Sequence, residues 1–351
     1  MRVAVLGAGA IGCLVGGLLA AASHDVALIG RPGRLAAVVE GGLRVRLPGG
    51  QRLASCPAVF ASPAAAAAEW GTPDVVALTV KAFDVPEAAR ALQAAWPAVP
   101  AVVAFQNGIG TEEHLTRLFG PERVVAATVT LSAGLQDGEV VVFNRAGGLA
   151  LAPVPGGEAA CRRLATAWTG LPVPLALAPD AASLKWSKVL LNLVGNAVGA
   201  ILQWDVGRIF RHPFTARLEH RSLREAVMVA RAAAPVLVDL PGYPVRAFAR
   251  LVEWLPAPLF ARLVGPRAAG GRGGKLPSVA LDLAAGRQRT ETPYLHGAVA
   301  REAVARGLEA PVNGALARLV EELAADPAQR ERYRDRPDEL GRVLAAGGLR
   351  L

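Results

Sequence analysis

Short apolar runs, separated by segments with helical spacing, fill the first half of the chain. Residues 3–6, Asp25–Ile29 and residues 74–80 are such runs, and residues 101–105 form another. Nearly continuous apolar strands are typical of a parallel sheet that is covered on both faces. The alternation of strands and helices therefore predicts an α/β domain.

The pattern changes near residue 179. Proline-rich stretches at residues 171–174 and 178–180 end the predicted strands. From Asp180, a residue type favoured at the start of a helix, the chain reads mostly helical. We predict a Rossmann-type doubly wound sheet over residues 1–178, followed by a mostly α-helical domain over residues 179–351. Within it, residues 326–351 are expected to form a surface helix or a partly ordered tail.

Three glycines stand between the first predicted strand and the first predicted helix, in the order Gly7-Ala8-Gly9-Ala10-Ile11-Gly12. In this context the first glycine permits a tight turn, the second lets the backbone approach a pyrophosphate, and the third lets the helix pack against the strand. The helix start offers N–H groups and a positive dipole end to phosphates. We predict that a dinucleotide binds at Gly7, Gly9, Ala10, Ile11 and Gly12.

The end of the second strand indicates which dinucleotide binds. A site for NAD usually carries Asp or Glu here, to hold the ribose 2′-hydroxyl. This chain instead continues as Gly30-Arg31-Pro32-Gly33-Arg34, without an acid. Guanidinium groups pair well with a 2′-phosphate, so we predict NADP(H), with Arg31 as its ligand.

Length and composition restrict the class of protein. The 351 residues are 52% hydrophobic and 19% charged, which excludes general disorder and suits two domains. The formal net charge of +9 does not indicate nucleic acid, because the arginines are scattered without interleaved aromatic residues. No charge-free apolar run reaches the roughly 20 residues of a membrane span.

Cysteine usage bears on metals and on the compartment. Cys13, Cys56 and Cys161 are widely spaced and fit neither a zinc site nor a disulfide framework. We therefore expect no metal and predict a cytoplasmic location. The expected partner is a small anionic substrate, with no nucleic acid and no membrane. A homodimer is left open.

Polar residues that could carry chemistry follow two strands and then line a helix. Lys81 and Asn107 come at carboxyl ends of predicted strands, where ligands bind in parallel sheets. Lys188, Asn192 and Asn196 recur every four residues in an otherwise apolar segment, so they are predicted to form one polar stripe on a buried helix. Such groups need partners, either a substrate or a structural polar network.

Further along, residues 270–278 form a cationic glycine-rich loop that leads into a helix. Its Lys275 and Ser278 suit an anion site, although a linker between helices explains the same pattern. Residues 286–291 open the next predicted helical run, which continues to Arg306, and Glu291 within it could pair with a nearby lysine or arginine.

In combination, these blocks resemble the ketopantoate reductase (2-dehydropantoate 2-reductase) family over nearly the whole chain. The matching blocks are residues 7–12, Arg31, residues 79–83, residues 106–110, residues 184–188 with Asn192 and Asn196, residues 278–283, Thr290-Glu291 and residues 295–297. The resemblance implies that NADPH reduces a 2-oxo acid to a 2-hydroxy acid.

The resemblance also implies roles for individual residues. Lys188 matches the lysine that protonates the carbonyl oxygen, and Glu291 matches the acid that supports substrate and lysine. Substrate-positioning residues of the family correspond to Asn192, Asn196 and Ser278. Lys81 and Asn107 correspond to residues beside the nicotinamide.

Three residues depart from the pattern of the better-known members. Lys275 stands where they carry a substrate-binding Asn, Pro293 replaces an Asp, and His296 replaces the Asn of an Asn-Gly pair. These departures bear on which 2-oxo acid is reduced rather than on hydride transfer. In addition, the long apolar stretch 235–270 is expected to line or cover the cleft.

Three alternatives stay open. The first is a reductase with the same chemistry but a different bulky 2-oxo acid. The second is an NADP-sensing protein without catalysis, against which Lys188 and Glu291 argue. The third concerns residues 251–263, predicted as one amphipathic helix that would lie on a membrane surface, cover a cleft or contact a second copy.

Overall fold

The computed structural model describes residues 1–99, 101–144, 146–270 and 276–349. These residues form two compact units. Unit 1 comprises Met1–Gln106, Gly110–Lys185 and Leu240–Tyr243; unit 2 comprises Asn107–Ile109, Trp186–Asp239 and Pro244–Leu351. The division into domains at residue 179 stays a prediction.

An eight-stranded, mostly parallel sheet forms the centre of unit 1. Its order is β12-β11-β8-β7-β6-β1-β2-β5, and among its paired strands β11 runs antiparallel to β8. Because β1 lies between β2 and β6, the chain leaves β1 in one direction and returns on its other side, as in doubly wound folds. The strands are β1 (Arg2–Leu6), β2 (Asp25–Ile29), β5 (Ala58–Phe60), β6 (Val75–Leu78), β7 (Val102–Ala104), β8 (Val124–Val129), β11 (Leu149–Pro153) and β12 (Leu175–Leu177).

Both faces of this sheet are covered, which accounts for the continuous apolar runs. Along β1, Val3 and Val5 belong to one buried cluster, whereas Ala4 and Leu6 belong to another. The helices of unit 1 are α1 (Ala10–Ala21), α2 (Pro32–Gly41), α3 (Pro63–Glu69), α4 (Val85–Ala95), α5 (Thr111–Phe119) and α6 (Glu158–Ala167). The predicted strand, glycine loop and helix at the start of the chain are confirmed.

A second, four-stranded sheet in unit 1 has the order β4-β3-β10-β9. Its strands are β3 (Leu43–Arg46), β4 (Arg52–Ser55), β9 (Ala133–Gln136) and β10 (Glu139–Val142). Strands β3 and β4 pair antiparallel and form a hairpin around Pro48–Gly50. The chain then leaves this sheet, because β5 pairs with β2 in the larger sheet.

Unit 2 is helical, so the predicted fold class is confirmed. Helix α7 (Ala181–Leu193) follows Asp180, whose carboxylate accepts the Ser183 N–H at 2.7 Å, and its residues from Trp186 onward belong to unit 2. A buried cluster that includes Ile201, Leu316 and Leu340 holds later helices together. The helices that follow α7 are α8 (Asn196–Leu202), α9 (Val206–Arg211), α10 (Pro213–Ala233), α11 (Val245–Trp254), α12 (Ala257–Gly270), α13 (Ser278–Ala284), α14 (His296–Ala305), α15 (Pro311–Ala325), α16 (Arg330–Tyr333) and α17 (Pro337–Ala346).

Two predicted helical runs in unit 2 are wrong. Residues 251–263 are not one helix, because α11 ends at Trp254 and α12 begins after Pro256, which lacks the N–H that would continue the helix. Residues 286–291 are not helical, and Gly286 has a φ of +72°. In the described part of the chain no helix is long and apolar enough to cross a membrane.

Candidate active site

The glycine loop after β1 is held by the residue that follows β6. Thr79 Oγ1 donates to the carbonyl oxygens of Leu6 and Gly7, at 3.0 and 2.9 Å. Gly7 has a φ of +116°, and a Cβ on Gly12 would lie only 2.0 Å from the Gly7 oxygen. Both positions therefore require glycine. Thr79 was not singled out from the sequence, because a threonine ending a strand has no distinctive pattern.

The start of α1 is open where the motif predicts a pyrophosphate. Gly9 precedes the helix, and a Cβ built on it meets no atom within 4 Å. Among the described residues no side chain caps this helix start, and its first turn carries no acidic residue. The N–H groups of the first turn at Ala10 and Ile11 thus belong to an uncapped helix start, which suits an anion.

Arg31 stands at the start of α2, directly after the second strand. The preceding Gly30 lies against the glycine loop, since a Cβ there would be 2.8 Å from the Ala8 Cβ. Arg31 and Arg34 are both exposed and one helical turn apart, with the Arg34 N–H bonded to the Arg31 oxygen. No acidic residue occupies the first turn of α2. Two exposed arginines therefore stand in the first turn of the helix that follows Gly30.

The carboxyl ends of β6 and β7 are joined by the buried side chain of Gln106. Its Nε2 donates to the carbonyl oxygens of Leu78 at 2.8 Å and of Val80 at 3.2 Å. Lys81 follows directly, half-buried, at the start of the turn Ala82–Asp84. Gln106 thus sets the backbone from which Lys81 departs, a role that the sequence did not reveal.

A buried ion pair lies at the carboxyl end of β7. Lys185 Nζ donates to the carbonyl oxygens of Ala104 and Gln106, at 3.1 and 2.7 Å, and lies 2.7 Å from Glu112 Oε1. The Lys185 and Glu112 side chains are 3% and 8% exposed. Two carbonyl oxygens thus accept hydrogen bonds from the ammonium group, and the nearby carboxylate compensates its charge.

The sequence predicts no role for Lys185, although a signal for one was present. The 38 basic residues of the chain include only four lysines, namely Lys81, Lys185, Lys188 and Lys275. At nearly all of its basic positions the chain carries arginine. A lysine is therefore notable here, because its compact ammonium group and arginine's planar fork are not interchangeable.

In unit 2, two predicted site residues meet directly. Asn192 Nδ2 donates to Asn107 Oδ1 at 3.0 Å, which joins the segment after β7 to the helix that carries Lys188. Lys188 is half-buried, four residues before Asn192 in α7. The two asparagines and the lysine thus belong to one local arrangement.

The single polar stripe predicted for Lys188, Asn192 and Asn196 is wrong in one respect. Gly195 takes a left-handed conformation, with a φ of +65°, and Asn196 begins a new helix. The Gly195 N–H donates to the buried Glu219 Oε1 at 2.5 Å. A glycine among apolar residues fits both a helix interior and a break, so the sequence pattern alone did not distinguish them.

Asn196 nevertheless stays tied to the end of α7. Its Nδ2 donates to the Asn192 carbonyl oxygen at 2.9 Å, and it is 3% exposed. In the described part of the molecule its Oδ1 has no hydrogen-bond donor. A buried carbonyl oxygen without a partner suits a ligand that donates a hydrogen bond.

Glu291 is buried and comes just before the turn Thr292–Tyr294. The Tyr294 N–H donates to the Glu291 carbonyl oxygen at 2.9 Å, and the Tyr294 oxygen accepts the Ile109 N–H at 3.0 Å. A Cβ on Gly108 would lie 2.3 Å from that same oxygen. The glycine after Asn107 is therefore required for this contact, which brings the segment of Asn107 to the segment of Glu291.

The remaining predicted substrate residues fall at or before the start of α13. Ser278 is its first residue and is exposed. The preceding Pro277 packs closely on α8, since a Cβ on Gly199 would lie 2.7 Å from its Cγ. This places the start of α13 beside the helix that begins at Asn196. Lys275 lies outside the described residues.

His296 belongs to a buried polar network. Its Nδ1 lies 2.9 Å from Asn313 Oδ1, and Asn313 Nδ2 donates to Glu225 Oε2 at 2.9 Å. The Glu225 carboxylate also accepts the backbone N–H groups of Val312 and Asn313 at the start of α15. Burial lowers the pKa of His296 to about 4, so the imidazole is neutral near pH 7. Burial also raises the pKa of Glu225.

The α/β unit has a glycine loop followed by an uncapped helix start, and the helical unit has a lysine and two bonded asparagines. These are features of a dinucleotide-dependent oxidoreductase. Two family models match the chain, "Ketopantoate reductase PanE/ApbA" over residues 3–156 and "Ketopantoate reductase PanE/ApbA C terminal" over residues 180–324. The chain belongs to the ketopantoate reductase family. Members of this family use a nicotinamide cofactor.

Individual relatives agree with this assignment. A 2-dehydropantoate 2-reductase from Halobacterium salinarum is 32% identical over 324 residues, which cover 91% of this chain and 98% of that protein. The crystal structure of a ketopantoate reductase from Ralstonia eutropha has a TM-score of 0.75 at 29% identity, covering 94% of this chain and all of the other.

The fold also occurs in a differently named enzyme. The ternary structure of D-mandelate dehydrogenase with NADH and anilino(oxo)acetate has a TM-score of 0.74 at 21% identity. The match covers 92% of this chain and 98% of that chain. At this identity the similarity concerns the fold alone.

Proposed function

We propose that the chain reduces 2-dehydropantoate to pantoate with NADPH, and that Lys188 is the general acid. The observation that carries this proposal is the bond between Asn107 and Asn192. It joins the residue expected beside the nicotinamide to the helix that carries the proposed acid. Membership of the ketopantoate reductase family supports the same reaction.

The residues of unit 1 fit the cofactor. The uncapped start of α1 and the open space at Gly9 accommodate a pyrophosphate, and Gly7 and Gly12 are the residues that the turn requires. Arg31 is exposed beside this loop, where a guanidinium pairs with a 2′-phosphate. When bound, NADPH supplies the hydride that reduces the 2-oxo carbon.

Lys188 would act on the oxygen of the same carbonyl. As the carbon is reduced, negative charge develops on that oxygen, where an ammonium group stabilises it and then donates a proton. The product is the 2-hydroxy acid. Glu291, buried in the same unit, is proposed to support the lysine and the substrate.

The asparagines would recognise the rest of the substrate. Asn196 Oδ1 is a buried acceptor whose partner in the complex would be a substrate hydroxyl, such as that of 2-dehydropantoate. Ser278, at the exposed start of α13, is proposed to bind the carboxylate. Lys275 precedes it by three residues and would add positive charge.

The alternative is the same reaction on a different bulky 2-oxo acid. His296 favours it, because this imidazole stands where the resemblance places an Asn, and Pro293 alters the same segment. The two substrates are separated by measuring NADPH oxidation with 2-dehydropantoate and with a panel of branched and aromatic 2-oxo acids. If a panel member has a higher kcat/KM than 2-dehydropantoate, that 2-oxo acid is the preferred substrate.

Lys188→Ala tests the mechanism. We expect kcat to fall by about 100-fold or more, since this is the usual contribution of a general acid. Lys188→Arg is the matched control, because it keeps the charge but holds its proton too tightly to donate it. It should also be slow. Unchanged turnover in both variants would exclude Lys188 as the acid.

Arg31→Ala tests the cofactor preference. Loss of the guanidinium should raise KM for NADPH about tenfold and leave KM for NADH nearly unchanged, because only NADPH carries the 2′-phosphate. Arg34→Ala, one turn along the same helix, shows whether the second arginine shares this role. Equal changes with both cofactors would contradict the assignment of Arg31.

A further inference from the structure

We propose that Lys185 is a positioning residue for the reduction and acts through its buried pair with Glu112. None of the roles predicted above involves Lys185. The inference rests on the proposed function, because the residues that it positions are Asn107 and Lys188. Lys185 itself is remote from solvent and is held by atoms of the protein.

The first step of the argument concerns the strand end. Lys185 Nζ binds the carbonyl oxygens of Ala104 and Gln106, which are the last residue of β7 and the residue two positions later. Asn107 follows Gln106 directly. The side chain of Gln106 is itself bound to the carbonyl oxygens of Leu78 and Val80. The backbone that leads into Asn107 is therefore fixed from both sides.

The second step concerns the helix. Lys185 and Lys188 are three residues apart in α7, so about 4.5 Å of helical rise separates them. The turn that bears the proposed acid thus begins at a side chain held by two carbonyl oxygens and paired with a carboxylate. One ammonium group therefore restrains both the backbone that leads into Asn107 and the turn of α7 that leads to Lys188.

The third step concerns charge. Glu112 lies in the first turn of α5, and its other oxygen accepts the Thr111 hydroxyl at 3.1 Å. Its carboxylate compensates the buried ammonium, which would otherwise be costly. Methionine at position 185 would keep much of the volume but donate no hydrogen bond. Arginine would not replace lysine there, because its planar fork is larger and arranges its donors differently.

The test compares Lys185→Met with Glu112→Gln and with Glu139→Gln as the matched control. Glu139 forms ion pairs with Arg46 and Arg52 in the small sheet of unit 1 and has no role in the proposed chemistry. We expect Lys185→Met to lower kcat about 30-fold, since small misplacements of reacting groups slow the chemical step strongly. The dissociation constant of NADPH should change less than threefold. Glu112→Gln should lie between Lys185→Met and wild type, and Glu139→Gln should match wild type.

A kinetic isotope effect distinguishes positioning from simple loss of folded protein. With deuterium at the transferred C4 position of NADPH, the isotope effect on kcat should rise in Lys185→Met, because hydride transfer becomes more rate-limiting. A smaller amount of folded enzyme would lower kcat without changing the isotope effect. That second result, or a kcat within twofold of wild type, would overturn the proposal.

Hydrogen exchange keeps the inference separate from the proposed function. If wild type reduces no 2-oxo acid, the proposed function fails, but the restraint is still measurable in peptides that cover residues 104–110 and 186–192. Faster exchange in both peptides of Lys185→Met, and not of Glu139→Gln, supports the inference. Unchanged exchange contradicts it. Should Lys185→Met not fold, Glu112→Gln is assessed by the same measurements.

Discussion

Helices α1 and α15 begin in opposite ways. At α15 a buried carboxylate of the same chain, Glu225, accepts the first backbone N–H groups. At α1 the described residues provide no capping side chain, and the space at Gly9 is open. At both helix starts the first backbone N–H groups have no acceptor within the helix, and both carry the same positive dipole end. The difference teaches that one start is completed by the fold, whereas the other is left for a ligand.

The largest expected effect concerns the pH dependence of the network behind α15. Burial lowers the pKa of His296 to about 4, below its value in the unfolded chain. The unfolded state therefore binds a proton first as the pH falls, and stability is lost between about pH 6.5 and pH 4. The loss from this group should approach 3 kcal/mol at pH 4, on the scale of 1.36 kcal/mol per pKa unit.

Urea unfolding of wild type and His296→Asn at pH 7.5 and at pH 4.5 measures this effect. The variant keeps a group that can bond to Asn313 but removes the titration, so its unfolding free energy should fall less between the two conditions. If the unfolding free energy falls equally in both proteins, the titration of His296 does not contribute to the pH dependence of stability.

The next effect concerns the open helix start. Gly9→Ala places a methyl group where no atom lies within 4 Å, so the fold should tolerate it with a change in unfolding free energy below about 1 kcal/mol. The same methyl group obstructs a phosphate. We expect the dissociation constant of NADPH to rise about 30-fold, or about 2 kcal/mol, in a fluorescence titration. Unchanged affinity would mean that α1 does not bind the pyrophosphate.

The smallest effect concerns the capped helix start. Glu225→Gln removes one of the two acceptor oxygens that serve Val312 and Asn313, so one N–H loses its partner. The unfolding free energy should fall by about 1.5 kcal/mol, while the affinity for NADPH stays within twofold of wild type. Gly9→Ala is thus expected to weaken NADPH binding with little effect on stability, and Glu225→Gln to lower stability with little effect on binding. If both variants changed the same quantity, the two helix starts would not differ in function.

The parts of the fold that follow from local pattern were predictable. Residues 3–6 are apolar on both faces of a strand, and Gly7, Gly9 and Gly12 follow at the spacing of a phosphate-binding turn, so the sequence alone predicts this unit. The order of the strands was not predictable, because it depends on long-range pairing. Nothing local in residues 58–60, for example, says that β5 joins β2.

The parts of the candidate site whose side chains lie close in sequence were predictable. The parts that depend on contacts with residues far away in the sequence were not. Lys188 and Asn192 share a helix as their spacing indicates. The break at Gly195 is supported by Glu219, 24 residues later, and the partners of Lys185 lie about 80 residues earlier. Periodicity within one segment carries no information about such partners. The scarcity of lysine is a property of the whole chain and was the clue available.

Because lysines are scarce, amine-directed reagents modify few positions of this chain. Reagents that acylate or reductively methylate amines find only four lysine side chains, and Lys185 is buried. Lys81, Lys188 and Lys275 are all predicted site residues. Mass spectrometry of the labelled protein would therefore give a footprint of the cofactor and substrate regions from the unmutated chain.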